Sequence, residues 1–144
     1  MTAKMLAPAA ILIVWSLVML FWMTRVRFKA FATAGIDLRK SPPGGRGPSL
    51  NGILPDKVMW KAHNHDHLME QPTIFYPAVI ILAIMGPTAT DIALAWGYVA
   101  LRIIHSLYQA LVNRIPVRRA IFTLASICLG ALALRAASAT LFAA

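Results

Sequence analysis

Polar and ionisable side chains recur at helical spacing inside an apolar stretch in the second half of the chain. Arg102, His105, Gln109 and Asn113 are spaced i, i+3, i+7 and i+11, which places them on one helix face. A charge at the centre of a membrane helix costs roughly 2.5–3.5 kcal/mol, so such a residue indicates a function or a dedicated partner. The stripe is therefore the first candidate for a site.

A second stripe lies upstream, where His63, Asp66, His67 and Glu70 are spaced i, i+3, i+4 and i+7. Its acids are natural partners for Arg102, so we expect a buried ion pair between Arg102 and Glu70 or Asp66. A purely structural pair that locks two helices together is the alternative, and it would need good geometry to offset its desolvation.

Two adjacent arginines, Arg118 and Arg119, open the last apolar segment. An arginine stays charged at any working pH. Placed within ~4–6 Å of a thiol, it favours the thiolate, which is the form that attacks electrophiles. Because consecutive helical residues lie ~100° apart, we expect only Arg118 to face such a site. Alternatively, both are boundary charges that fix topology.

The histidines raise the question of a metal site, because His63 and His67 have the i, i+4 spacing of helical zinc ligands. The remaining histidines are His65, on a different face, and His105. These are too few for a di-iron centre, and no metal site is predicted. Cys128 is the single cysteine, so no intrachain disulfide forms, and we interpret it as a small buried hydrophobic residue.

Composition decides the environment in which these residues work. Of 144 residues, 59% are hydrophobic and only 13% are charged, well below the ~25% of an average soluble domain. The fourteen Lys and Arg against five Asp and Glu would also suit a nucleic-acid binder, but no such motif is visible. Long apolar runs favour a membrane protein without a nucleic-acid partner.

Hydrophobic runs and breakers predict an all-α fold, a four-helix transmembrane bundle in one domain over residues 1–144. The predicted helices cover residues 5–24, 56–86, 90–114 and 117–142, with a basic loop over residues 25–55. That loop contains the breaker run Ser41-Pro42-Pro43-Gly44-Gly45. A cleaved signal peptide is the alternative for the first run, but its apolar part is longer than the usual ~7–15 residues.

Three stretches resemble the MAPEG family, the membrane-associated proteins of eicosanoid and glutathione metabolism. They are RVRFKAF at residues 25–31, HLMEQPTIFY at residues 67–76, and ALRIIHS with NRIPVR at residues 100–106 and 113–118. The resemblance covers nearly the whole chain and looks closest to small bacterial members. It implies a homotrimer of four-helix bundles that holds glutathione between adjacent subunits near the cytoplasm.

The resemblance also implies roles for individual residues. Arg118 matches the arginine that faces the glutathione sulfur, and Glu70 matches the glutamate that holds the glutathione amine. His105 matches a polar contact on the third helix, and Arg25 matches an arginine from the neighbouring subunit.

Other positions depart from the family pattern within the same motifs. His63 and Asp66 stand where the family has arginines, and His67 stands at an asparagine position. Gln109 and Phe122 stand where many members have tyrosines. We include His63, His67 and Gln109 among the candidate glutathione contacts.

The function implied is a membrane-bound, glutathione-dependent transferase or peroxidase that acts on lipophilic electrophiles. The alternative is a non-enzymatic integral membrane subunit, which would stabilise a larger membrane complex or bind lipid. In both cases the lipid bilayer is a partner, and the expected location is the bacterial inner membrane.

The distribution of basic residues predicts topology. Residues 25–61 hold eight Lys and Arg, and the third connection adds Arg114, Arg118 and Arg119, whereas the opposite side has only Lys4 and Arg135. The positive-inside rule then places the basic loops in the cytoplasm and both termini in the periplasm.

A cysteine introduced at Ser41 tests this topology in a Cys128→Ser background. An impermeant maleimide should label it only after the membrane is opened. Labelling of Ser41→Cys in intact cells would reverse the assignment.

Overall fold

The computed structural model describes residues 1–41 and 43–142, so Pro42 of the breaker run and the last two residues of the predicted domain lie outside the described residues. The described chain is all-α, as predicted. Its helices are α1 (Thr2–Thr33), α2 (Asp56–Leu68), α3 (Pro72–Met85), α4 (Ala89–Leu111) and α5 (Ile115–Leu141). Two short 3-10 turns, Leu38–Lys40 and Gly47–Leu50, lie in the connection between α1 and α2.

Three segments are long and apolar enough to cross a membrane: α1, the interrupted pair α2 and α3 (Asp56–Met85), and α5. The remaining helix, α4, has 23 residues but is not among them. Its polar stripe lowers its mean hydropathy, and that stripe is buried against neighbouring helices. The architecture is that of an integral membrane protein in which the remaining long helix, α4, buries a polar face against its neighbours.

Helix α1 is longer than predicted and ends at Thr33 instead of residue 24. Arg25, Arg27 and Lys29 were assigned to a loop because of their charge, but Arg and Lys are good helix formers. The helix ends where Gly35 adopts a left-handed φ of 65°, a conformation that glycine accepts without strain. The last three turns of α1 therefore carry three basic residues on a helix.

The helices pack as a bundle in which α1 contacts α2, α3 and α4, while α5 contacts α3 and α4. A Cβ at Gly97 of α4 would lie 3.7 Å from the Sγ of Cys128, so these two helices approach closely there. Cys128 is half-buried and free. The main core is formed by apolar side chains from α1, α3, α4 and α5, among them Met5, Leu12, Met19, Phe75, Val79, Tyr98, Val99 and Leu132.

The second predicted helix is broken into two pieces at residues 69–71. Pro72 has no N–H to donate to the carbonyl of Leu68, so the α-helical bonding pattern cannot continue through it. Tighter bonds replace that pattern, with Met69 N–H donating to the Asp66 carbonyl at 2.9 Å and Thr73 N–H donating to the Glu70 carbonyl at 3.2 Å. The break leaves carbonyls at the end of α2 without partners inside the helix.

Arg102 supplies one of the missing donors. Its Nη2 donates to the His67 carbonyl at 2.7 Å, and the side chain is completely buried. The negative, C-terminal end of the α2 dipole also stabilises a positive charge at this place. The guanidinium thus fixes α4 against the broken segment.

The predicted ion pair between Arg102 and Glu70 or Asp66 does not form in the structure. In the described chain the acids pair with other groups: Glu70 lies 3.6 Å from His67, and Asp66 lies 3.8 Å from His65. Both carboxylates are mostly exposed, at 67% for Glu70 and 62% for Asp66. The backbone carbonyl freed by the helix break takes the place of the carboxylate.

At the opposite end of the bundle, α4 begins with a complete capping box. The Thr88 backbone N–H donates to the Asp91 carboxylate at 2.8 Å, and the Asp91 N–H donates to the Thr88 hydroxyl at 3.3 Å. Arg135 of α5 also donates to Asp91 and to the Thr88 hydroxyl at 2.9 Å. This cluster ties the start of α4 to the end of α5.

The Arg102 contact generates a stability prediction. Glu70→Gln should change the free energy of unfolding by less than ~0.5 kcal/mol, because the carboxylate is exposed and does not contact Arg102. Arg102→Leu should cost about 1–3 kcal/mol, because the His67 carbonyl loses a charged donor. Denaturant unfolding in detergent micelles measures both values. A loss of ~3–5 kcal/mol for Glu70→Gln would indicate a buried pair and contradict this assignment.

Candidate functional site

A cavity of about 220 Å³ opens where α2, α4 and α5 meet near the start of α5. Its walls are His67 of α2, His105 of α4, and Ile115, Arg118, Arg119 and Phe122 of α5. Three predicted site residues, His67, His105 and Arg118, are therefore brought together from three helices. This cavity is the candidate site.

Aromatic rings form one side of the cavity. The His67 ring stacks on Phe122 with centroids 5.0 Å apart, and it lies 5.1 Å from the ring of His105. The guanidinium carbon of Arg102 lies 5.8 Å from the Phe122 centroid, within the range of a cation–π contact. Flat rings backed by a buried charge give the cavity a rigid wall.

Buried polar atoms without hydrogen-bond partners concentrate around this wall. In the described chain, seven buried side-chain atoms have no partner, and five of them belong to four residues of this cluster. They are His67 Nδ1, Arg102 Nε and Nη1, His105 Nε2 and Gln109 Oε1. Buried polar groups in native proteins are usually satisfied, so these atoms are candidates for bonds to a ligand or to ordered water.

Three of the four residues of the predicted stripe are buried on α4, whereas Asn113 lies beyond the end of α4, in the turn before α5, and is half-buried. Arg102 is 0% exposed, His105 1% and Gln109 5%. Periodicity identified these residues because polar groups on a single helical face must turn away from lipid.

Two polar residues near the site, Asn64 and Trp15, were not predicted as contacts from the sequence. Asn64 Nδ2 donates to the Ser106 hydroxyl at 2.9 Å, and Trp15 Nε1 donates to the same oxygen at 3.1 Å. Asn64 is 1% exposed and belongs to the α2 face that packs inward. The polar stripe predicted from His63 onward did not include Asn64. A buried amide is nevertheless expected to have a hydrogen-bond partner.

Arg118 is positioned by the turn between α4 and α5. Asn113 adopts a left-handed conformation with φ 56°, which asparagine tolerates better than most residues. Its Oδ1 accepts a hydrogen bond from Arg118 Nη1 at 2.6 Å. The amide thus holds one edge of the guanidinium, at the first turn of α5, where the helix dipole also favours an anion.

Arg119 does not point away from the site as expected, since it lines the same cavity as Arg118. Two long side chains 100° apart can reach one opening when the opening lies between them. Arg119 also lines a neighbouring groove of about 460 Å³ with Pro116, Ala120, Thr123 and Leu124. It therefore stands between the cavity and the outward face of α5.

The other predicted site residues lie outside the cavity. His63 is exposed and bonds to the Asn51 side-chain oxygen at 3.0 Å, in the connection between α1 and α2. Arg25 and Glu70 are also exposed on this single chain. Within the described residues, no group of three or more His, Cys, Asp or Glu is placed to hold a metal ion.

No match was found among curated proteins or among solved structures. A family model does match, and it covers residues 5–138 with the description "MAPEG family". The match includes all five helices except the first residues of α1 and the last residues of α5. The chain therefore belongs to the MAPEG family.

Proposed function

We propose that this protein is a membrane-bound, glutathione-dependent transferase or peroxidase that acts on lipophilic electrophiles. The observation that carries the proposal is the set of unpartnered buried polar atoms beside a cavity edged by Arg118 and Arg119. An anionic ligand with amide and amine groups would bond to those atoms that belong to the cavity walls, on His67 and His105, and would be balanced by the two guanidinium groups.

The cavity suits only part of a tripeptide. Its volume of about 220 Å³ is below the ~300–1,000 Å³ that is usual for ligand pockets. Arg25 and Glu70 are exposed on the single chain and are available to a neighbouring copy. We therefore infer a homotrimer in which adjacent subunits complete each site.

Glutathione would supply a thiol that reacts as its thiolate. Arg118 would stabilise the negative charge on sulfur, aided by the N-terminal dipole of α5. The free ring nitrogens of His67 and His105, two residues that line the cavity, are suited to bond to the polar groups of the ligand. Gln109 and Arg102 are buried and do not line the cavity. No protein nucleophile is needed for this chemistry.

An apolar electrophile would reach the sulfur from the bilayer. The groove on the outward face of α5 is lined by Ala120, Thr123 and Leu124, and it meets the cavity at Arg119. In conjugation by substitution a carbon–sulfur bond forms while the bond from that carbon to its leaving group breaks. The leaving group departs with the electron pair, and the thiol proton goes to solvent. In peroxidase chemistry two thiols become a disulfide while the hydroperoxide becomes an alcohol and water.

A non-enzymatic membrane subunit is the second candidate, and one observation favours it. Asp66 stands at a position where the family has an arginine, and its carboxylate is 62% exposed. It would repel a carboxylate of glutathione. Such a subunit would keep the bundle and hold lipid or a larger complex.

For location, we propose the bacterial inner membrane, with the basic connections in the cytoplasm and both termini in the periplasm. The cavity lies at the basic end of the bundle, beside Arg114, Arg118 and Arg119. A cytoplasmic thiol cosubstrate would then have direct access.

Arg118 provides the main functional test. Arg118→Ala should abolish the ultraviolet thiolate absorbance of bound glutathione near neutral pH, and Arg118→Lys should weaken it because the planar fork is lost. Arg114→Ala is the matched control, because Arg114 is exposed and does not line the cavity. Arg119→Ala should reduce the signal in part.

Two results separate the candidates in that experiment. Absence of glutathione binding to the wild-type protein at millimolar ligand would reject the enzyme and leave the subunit. A full thiolate signal in Arg118→Ala would keep the enzyme class and reject the role given to Arg118.

Asn113→Gly tests the positioning of Arg118. Glycine accepts the left-handed backbone but removes the oxygen that holds the guanidinium. We expect weaker thiolate absorbance at saturating glutathione with an unfolding midpoint close to that of the wild type. An unchanged signal would show that Asn113 does not position Arg118.

A further inference from the structure

Arg118 and Arg119 are neighbours in sequence and line the same cavity, but their surroundings differ. Arg118 is half-buried, and its Nη1 donates to the Asn113 side-chain oxygen at 2.6 Å. Arg119 is exposed. Among the described residues its guanidinium has no hydrogen-bond or ion-pair partner, and only its backbone carbonyl accepts a bond, from the Thr123 hydroxyl. One arginine is therefore held in place, and the other is free to bind a ligand.

Two guanidinium groups beside one opening repel each other, because both stay charged at any working pH. In the part of the chain that the structure describes, no carboxylate lines this cavity. A thiolate balances only one of the two charges. The pair therefore suits a reaction in which two separate atoms become negative. The proposed thiol chemistry has two such atoms, the sulfur and the atom that leaves the electrophile.

Position along α5 separates the two arginines further. Arg119 also lines the groove of about 460 Å³ on the outward face of α5, whereas Arg118 does not. From Arg119 the helix rises ~24 Å to Arg135 at the opposite end of the bundle, so Thr123 and Leu124 of the groove lie ~6–8 Å deeper in the hydrocarbon than Arg119. An apolar chain that lies in this groove brings its polar end to Arg119.

We propose that Arg119 is a catalytic residue that binds the oxygen leaving an alkyl hydroperoxide, while Arg118 stabilises the sulfur. This inference rests on the proposed glutathione chemistry, and it narrows the electrophile to a hydroperoxide whose alkyl chain lies along α5. An alkoxide is a much stronger base than a chloride ion, so its departure gains more from a positive hydrogen-bond donor. The planar guanidinium can donate to such an oxygen through two N–H groups.

In this reaction the thiolate sulfur attacks the terminal oxygen of the hydroperoxide, and the O–O bond breaks. The electron pair of that bond leaves with the oxygen that carries the alkyl group. Arg119 stabilises this oxygen until a solvent proton converts it to an alcohol. The glutathione sulfur becomes a sulfenic acid, oxidised by two electrons, while the hydroperoxide is reduced by two. A second glutathione thiol then attacks that sulfur, which gives the disulfide and water.

A ratio of two kcat/KM values, measured with glutathione for the full chain in detergent, tests the role of Arg119. tert-Butyl hydroperoxide loses an alkoxide, whereas benzyl chloride loses a chloride ion. Arg119→Gln should lower the ratio of hydroperoxide to chloride about tenfold, less than the ~10²–10³ of a buried oxyanion donor, because Arg119 is exposed. Arg119→Lys keeps the charge and should restore part of the ratio. A loss of thiolate or of folded protein lowers both values equally and leaves the ratio unchanged.

Two matched controls accompany these variants. Arg114→Gln removes an exposed charge that lines neither the cavity nor the groove, and it should leave the ratio unchanged. Ala120→Phe fills the groove and should lower kcat/KM for the hydroperoxide of methyl linoleate relative to tert-butyl hydroperoxide, which has no long chain. Ala137→Phe places the same ring on an exposed position of α5 outside the groove and should not change that comparison.

Several results would overturn the inference and leave the proposed function intact. An active wild type whose ratio is unchanged in Arg119→Gln shows that Arg119 does not bind the leaving oxygen. If the KM of glutathione rises at the same unchanged ratio, Arg119 binds a carboxylate of the thiol instead. Equal effects of Arg119→Gln and Arg114→Gln show diffuse charge, and equal losses in Ala120→Phe and Ala137→Phe reject the path of the chain. A wild type that conjugates benzyl chloride but reduces no hydroperoxide also overturns the inference.

Failure of the proposed function itself gives a different result. A wild type that binds no glutathione and reacts with neither electrophile rejects the enzyme, and the role of Arg119 falls with it.

Discussion

The hydrogen bond from the buried Arg102 guanidinium to the His67 carbonyl is the constraint on which the rest of the bundle depends. The bond is possible because the second helix is interrupted at residues 69–71, so that Gln71, whose N–H would donate to this carbonyl in a continuous α-helix, lies between α2 and α3. Among the described residues this is the one hydrogen bond that the Arg102 side chain makes, and its guanidinium also lies over the Phe122 ring. The bond therefore fixes α2 against α4, and the His67 ring is held against Phe122 as a result.

The sequence predicts most of the fold, because lipid restricts the choices. Long apolar runs and breakers place the helices, and period 3.6 predicts that Arg102, His105 and Gln109 face inward, as they do. The predicted end of α1 at residue 24 is wrong, because the apolar run ends there but the helix continues to Thr33. Arg25 and Lys29 are compatible with a helix that leaves the bilayer. Helix propensity, which persists beyond the membrane boundary, decides that end.

The site is less predictable, because its partners depend on tertiary contacts. Complementary charge suggested that Glu70 pairs with Arg102, but the sequence does not show that a helix break exposes a backbone acceptor. Arg119 was assigned away from Arg118 from helical angles alone, which ignore the reach of a long side chain. Asn64 carried no periodic signal of its own and was found only through its bond to Ser106.

Buried polar groups have hydrogen-bond partners at the start of α4 but lack some of them toward its other end. At its start, the Asp91 carboxylate is 1% exposed and accepts bonds from Thr88 and Arg135, so the cluster is saturated and leaves nothing for a ligand. Toward its other end, Arg102 and His105 keep buried nitrogens without partners. A fold that can satisfy a buried charge at one end has no structural need to leave one unsatisfied at the other. The unsaturated end is therefore where the proposed ligand would bind, and the positive charge of the nearby Arg118 would favour an anionic ligand.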